Sequence, residues 1–214
     1  MQYATIENLD KIILLSKQDE SIIEKYIMPI IKEGMSEDKK WRFRYIIAEN
    51  ILKIINELDK EIINKYFLEI IMKLFSDHAY DIRLIVWKII EKLVNIMDND
   101  FIQNKIWEMQ KAQMKSNNYI LRIASMKSVD YLKQYYKKEF IGSDIIPYIV
   151  NNIKEDKIPN VKFSACEVLA SLVVFIGKEE KCKKFVEDFL NGFFNDKDDD
   201  VVFISKNAFN ELQK

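Results

Sequence analysis

Apolar residues recur in doublets four positions apart along much of this chain. The first series is Ile22-Ile23, Tyr26-Ile27 and Ile30-Ile31; a second is Ile62-Ile63, Tyr66-Phe67, Ile70-Ile71 and Leu74-Phe75. Ile145-Ile146, Ile149-Val150 and Ile153 form another, as do Phe185-Val186, Phe189-Leu190 and Phe193-Phe194, while Ile102, Ile106 and Met109 make a weaker one. Between them run stripes such as Ile82, Ile85-Val86, Ile89-Ile90, Leu93-Val94 and Val161, Ala165, Val168-Leu169, Leu172-Val173, Ile176. Steps of three and four place these side chains on one wide face of a helix. No stretch alternates apolar and polar for long, so the pattern predicts an all-α chain.

Polar segments punctuate the helices at regular intervals: DKKWRFR from Asp38, DHAYDIR from Asp77, SNNYILR from Ser116, DKIPNVK from Asp156 and DKDDDVV from Asp196. Their first positions step by 39, 39, 40 and 40 residues, and the seventh positions, Arg44, Arg83, Arg122, Lys162 and Val202, step identically. The repeating unit is therefore a helix, a turn of about five residues and a second helix. One hairpin cannot bury stripes this wide, so neighbouring hairpins must stack. The expected architecture is a single α-solenoid domain over 1–214, a right-handed superhelix. Its repeats run at about 21–58, 60–97, 100–137, 143–177 and 179–213, and a lone helix over 3–16 (Tyr3, Ile6, Leu9, Ile12-Ile13) caps the first.

The turns carry an expected electrostatic role. The carboxylates of Asp38, Asp77, Asp156 and Asp196 can accept bonds from backbone N–H groups where the second helix begins. The basic residue six positions later can reach the carboxylate of its own or the next turn. Together they would form a ladder of ion pairs.

Composition narrows the function. The charged residues number 33 basic and 34 acidic, interleaved throughout, with a formal net charge of −1. A nucleic-acid binder or membrane-surface protein shows a basic excess or stripe, so neither partner is expected. The longest apolar stretch, Val168 to Gly177, falls short of the about 20 residues that span a bilayer. Two cysteines, Cys166 and Cys182, form no disulfide framework, which suits a cytoplasmic or nuclear setting. One histidine, His78, cannot supply a zinc site or a histidine-dependent triad, and the four glycines at 34, 142, 177 and 192 cradle no phosphate. No carboxylate pair stands in an apolar setting, and Asp198-Asp199-Asp200 reads as a charged helix cap. No catalytic residue, metal site, cofactor or small-molecule substrate is expected.

The fourth turn position is different. It carries Trp41, Tyr80 and Tyr119 in three successive turns, then Pro159 and Asp199. Turns are normally polar, and large aromatics with arginine are the residue types that anchor protein interfaces. They would line one ridge of the solenoid and bind a protein.

The D-x-x-x-x-[VI]-R pattern is that of HEAT repeats. The order Trp-Arg-x-Arg, Tyr-x-Ile-Arg, Tyr-x-x-Arg and Asn-Val-Lys resembles more closely the last five HEAT repeats of the scaffolding A subunit of type 2A serine/threonine protein phosphatase. WRFRYIIAEN from Trp41 and DHAYDIR from Asp77 carry most of the likeness. The lone first helix, IENLDKII, is similar to the second helix of the preceding family repeat, so the resemblance covers nearly the whole chain. In that family these turns grip the catalytic subunit and earlier repeats hold a regulatory subunit. The resemblance implies catalytic-subunit contacts at Trp41, Arg42, Tyr80, Tyr119 and Ile120, with Arg44, Arg83 and Arg122 in the ladder.

Three departures from the family qualify this. Ser116 and Val202 stand where an Asp and a basic residue belong, so the ladder should break at the third turn and at the C-terminal end. An extra residue lies between Pro29 and Trp41. The sequence starts inside what would be the tenth family repeat, and a chain without the roughly ten preceding repeats would be expected to bind a regulatory subunit poorly. The alternatives are a HEAT adaptor for another protein, such as a transport or assembly factor, and a HEAT-like nucleic-acid-repair enzyme, against which the charge balance speaks.

Overall fold

The computed structural model describes residues 7–16, 19–36, 40–98 and 100–214. Tyr3, Ile6 and Asp38, named above, lie outside them. Among the described residues the chain is all-helical, without a strand, and it forms two compact units, 1–99 and 100–214.

The first unit contains α1 (Leu9–Leu15), α2 (20–34), α3 (Trp41–Ile54), α4 (60–75) and α5 (Tyr80–Ile96). α1 packs on α3 and α3 on α5, while α2 covers α3 and α4 covers α5. The second unit contains α6 (102–114), α7 (Tyr119–Leu132), α8 (138–153), α9 (Pro159–Phe175), α10 (Glu180–Asn191) and α11 (Asp199–Gln213). Here α7, α9 and α11 pack successively, and α6, α8 and α10 cover them in turn. The two layers share a core of aliphatic side chains. Ile54 and Leu93 in the first unit, and Leu132, Leu172 and Leu212 in the second, hold one helical position and are wholly buried. Each contributes about 1.5–3 kcal/mol by leaving water.

The four-residue spacing of the apolar doublets has a structural consequence that the periodicity did not reveal. On a helix of 3.6 residues per turn, three steps of four drift about 120° around the axis. One buried stripe steps by four through Ile23, Ile27 and Ile31 of α2 to Met35 just after it, through Ile63, Phe67, Ile71 and Phe75 of α4, and through Ile141, Ile145, Ile149 and Ile153 of α8, with Ile62, Tyr66, Leu74, Ile146 and Val150 buried beside it. These helices, and α6 with them, keep such a stripe on one face through a wide turn near the start: Ile23–Ile27, Ile63–Phe67, Ile102–Ile106 and Ile141–Ile145 are π-helical. The N–H groups of Met28, Leu68, Trp107 and Ile146 each donate to the carbonyl five residues back, so one extra residue is absorbed. In α10, Cys182, Val186 and Leu190 also step by four, yet the helix is α throughout, so the spacing permits a π turn without dictating one.

Candidate protein-binding surface

Each of α3, α5 and α7 begins with an aromatic residue. Trp41, Tyr80 and Tyr119 are not inside the turns, where sequence reading put them, but are the first helical residues after the N-caps Lys40, Ala79 and Asn118. Pro159 and Asp199 open α9 and α11 in the same way. Proline suits that position because its missing N–H would have no intrahelical acceptor there. A side chain in the first turn of a helix can project away from the packed layers. Trp41 is 40% exposed, Tyr80 58%, Tyr119 41% and the adjoining Ile120 42%.

In the first unit, Trp41 meets Tyr45 edge-on, with ring centroids 6.0 Å apart. The Arg42 guanidinium lies over the Trp41 ring at 5.3 Å. The Arg83 guanidinium lies 5.7 Å from the centre of the Tyr80 ring. Tyr45 donates its hydroxyl to Glu49, and that bond, followed by burial, pushes its phenol pKa up. Tyr45 thus extends the aromatic surface although sequence reading passed over it; its spacing of four from Trp41 on one helix was the available signal. In the second unit, Tyr119 and Ile120 stand side by side at the start of α7. The Asn118 side chain caps that helix by accepting from the Ile120 N–H at 3.0 Å.

The same helix starts carry specific ion pairs. Arg44 grips Asp77 with Nε and Nη2 at 2.6 and 3.2 Å. Arg122 grips Asp156 likewise at 2.8 and 3.1 Å, and Lys162 reaches Asp196 at 2.7 Å. Every one of these cations meets the carboxylate of the following turn. The same carboxylates fold their own turns: Asp77, Asp156 and Asp196 accept from the N–H groups of Ala79, Ile158 and Asp198, two residues on. Ser116 does this with its hydroxyl, accepting from Asn118. The Lys162 hydrogen bond, more than any other influence, holds the Asp196 carboxyl below its ordinary range.

Arg83 departs from the pattern. Its Nη1 donates to the carbonyls of Asp77 and His78 at 2.7 and 3.0 Å, and its Nε is buried without a partner. Burial lowers its pKa. Val202 is half-buried and brings no charge. Asp198 caps α11 by accepting from Asp200 and Val201, which accounts for the start of the acidic run.

Elsewhere, a cleft of about 650 Å³ opens between α8 and α10, lined by Gly142, Pro147, Cys182 and Phe185 among others. Burial pushes the Cys182 thiol pKa up, and Cys166 is pushed up to about 12, so neither is a ready nucleophile. His78 is exposed in its turn. Among the described residues no group of three or more His, Cys, Asp or Glu side chains could hold a metal ion. No described helix is long and apolar enough to cross a membrane.

No protein-family model matches the chain, and no curated protein matches it in sequence. Among solved structures it is similar to the crystal structure of Cex1p, with a TM-score of 0.62 at 12% identity. That likeness covers 97% of this chain and 43% of Cex1p, so the chain spans less than half the length of that neighbour. At this identity the likeness is one of fold.

Proposed function

We propose that this chain is a HEAT-type α-solenoid and a non-catalytic scaffold, holding the catalytic subunit of a type 2A protein phosphatase through the starts of α3, α5 and α7. The observation that carries the reading is the exposure of Trp41, Tyr80, Tyr119 and Ile120 at equivalent places, in the aromatic order that resembles the phosphatase scaffold. Trp41 is held edge-on against Tyr45 and Tyr80 lies beside Arg83, and aromatics ordered in this way leave less to freeze on association. Arg42, laid on the Trp41 ring, keeps its guanidinium oriented at the same surface.

Titration with purified catalytic subunit tests the reading. Trp41→Ala should weaken binding more than tenfold, at least about 2 kcal/mol, as expected for an interface anchor. Helicity and melting should change little, since Trp41 lies outside the core. Lys73→Ala, an exposed change on α4, should leave binding intact. Failure of the wild-type chain to bind at micromolar concentration would exclude this partner. Equal binding by Trp41→Ala would exclude this surface.

A further inference from the structure

The third hairpin, α6 and α7, has a core unlike those of its neighbours. Gln110 on α6 is wholly buried. Its equivalents, eight residues after the first residue of each π turn, are Ile31, Ile71 and Ile149, with Leu190 corresponding in α10, all at most 1% exposed. Three further polar side chains converge on it. Tyr136, which follows α7 where Leu58, Met97 and Ile176 follow α3, α5 and α9, donates its hydroxyl to Gln110 Oε1 at 2.6 Å. Gln110 Nε2 donates to Ser128 Oγ at 2.9 Å, and Ser128 donates to the Ser125 carbonyl at 2.7 Å. Ser125 Oγ closes the circuit by donating to the Gln110 carbonyl at 2.7 Å. Ser125 and Ser128 are wholly buried and Tyr136 is 4% exposed.

Such a network is favourable only when every member finds its partner, and an apolar core of the same volume is often no less stable. Its cost is offset by discrimination. The first helices of the other hairpins carry similar apolar columns, Ile23, Ile27 and Ile31 in α2, Ile63, Phe67 and Ile71 in α4, and Ile141, Ile145 and Ile149 in α8, so an apolar α6 would fit against α5 or α9 nearly as well as against α7. Repeat proteins misassemble in this way. Gln110 forbids it: against α5 or α9 it would face Ile89 or Val168 in place of Ser128, with no hydroxyl at Met97 or Ile176. We infer that the Gln110–Tyr136–Ser128–Ser125 network is a register lock, which restricts α6 to pairing with α7 while the chain folds.

Refolding separates this role from simple stabilisation. The triple variant Gln110→Ile, Ser128→Val, Tyr136→Leu replaces the network by residues that the other hairpins use. It should unfold at a urea midpoint no lower than wild type, yet refold with at least a twofold lower yield of native monomer. The remainder should run as oligomers on size exclusion or refold in added slow phases. A yield and kinetics equal to wild type would overturn the inference. Tyr136→Phe, which keeps the ring, decides the matter if the triple variant cannot be purified folded. Measured at urea concentrations equally far below each midpoint, its yield should fall; an unchanged yield overturns the lock.

Discussion

Arg122 and Arg83 occupy the same place in α7 and α5, and their surroundings divide them. Both clamp the opening carbonyls of their own turn: Arg122 those of Ser116 and Asn117 at 2.8 and 3.3 Å, Arg83 those of Asp77 and His78 at 2.7 and 3.0 Å. Arg122 then turns its Nε and Nη2 onto Asp156, whereas Arg83 keeps a buried Nε without a partner. The next turn in the chain after Arg83 opens with Ser116, which carries no carboxylate. An arginine at the seventh turn position is therefore placed by its own helix, but its charge is compensated by a residue more than thirty positions away. Half of the interaction costs as much desolvation as the whole.

The largest effect should come from breaking the complete rung. Asp156→Ala removes the partner of a nearly buried guanidinium and the bond that shapes its own turn, and should cost about 2–3 kcal/mol in urea unfolding. Arg83→Met should stay within about 1 kcal/mol of wild type in either direction, because the cation it removes is already unpaired on one side. If the two variants lose equal stability, the carboxylate is not what distinguishes these arginines. Next in size, a double-mutant cycle between Arg44 and Asp77 should show coupling of about 1–2 kcal/mol. The cycle between Arg83 and Asp77, which share only a carbonyl contact and a longer-range attraction, should show a few tenths at most.

A smaller effect follows pH. The Lys162 bond depresses the folded pKa of Asp196, so its stabilisation is full above the unfolded carboxylate value, about 3.9, and fades as pH falls through the lower folded value. Melting temperatures of wild type and Asp196→Asn should differ at pH 7 and converge below about pH 4; a constant difference would assign the effect to packing. Smallest of all, Val202→Ala should cost no more than about 1 kcal/mol, since a half-buried valine loses two methyl groups and no ion pair. A larger loss would mean that the end of the ladder is held by apolar packing.

Much of the secondary structure was legible because helical periodicity is a local property. The stripes through Ile82–Val94 and Val161–Ile176 place α5 and α9 directly. The π turns were written in the same letters and missed, because a four-residue step reads as helical whether the helix winds normally or absorbs a residue. Trp41, Tyr80 and Tyr119 were found as a column but set one step too early. A helix start depends on where the N-cap breaks the backbone, and Lys40 and Ala79 offer no capping side chain to announce it. The Gln110 network was not read at all, since its four members lie 3 to 26 residues apart and share no motif.

By itself the sequence determined the helical class, the 39- and 40-residue steps of the turns and the columns in which charge and aromatic residues recur, for these depend on spacing along one chain. The tertiary structure decided which carboxylate each cation meets, that Arg83 meets none, and that Gln110 lies among hydroxyls. Those outcomes depend on which helix packs against which, and on the loss of water there: a buried polar group is stabilised or penalised by neighbours that its own segment of sequence does not contain.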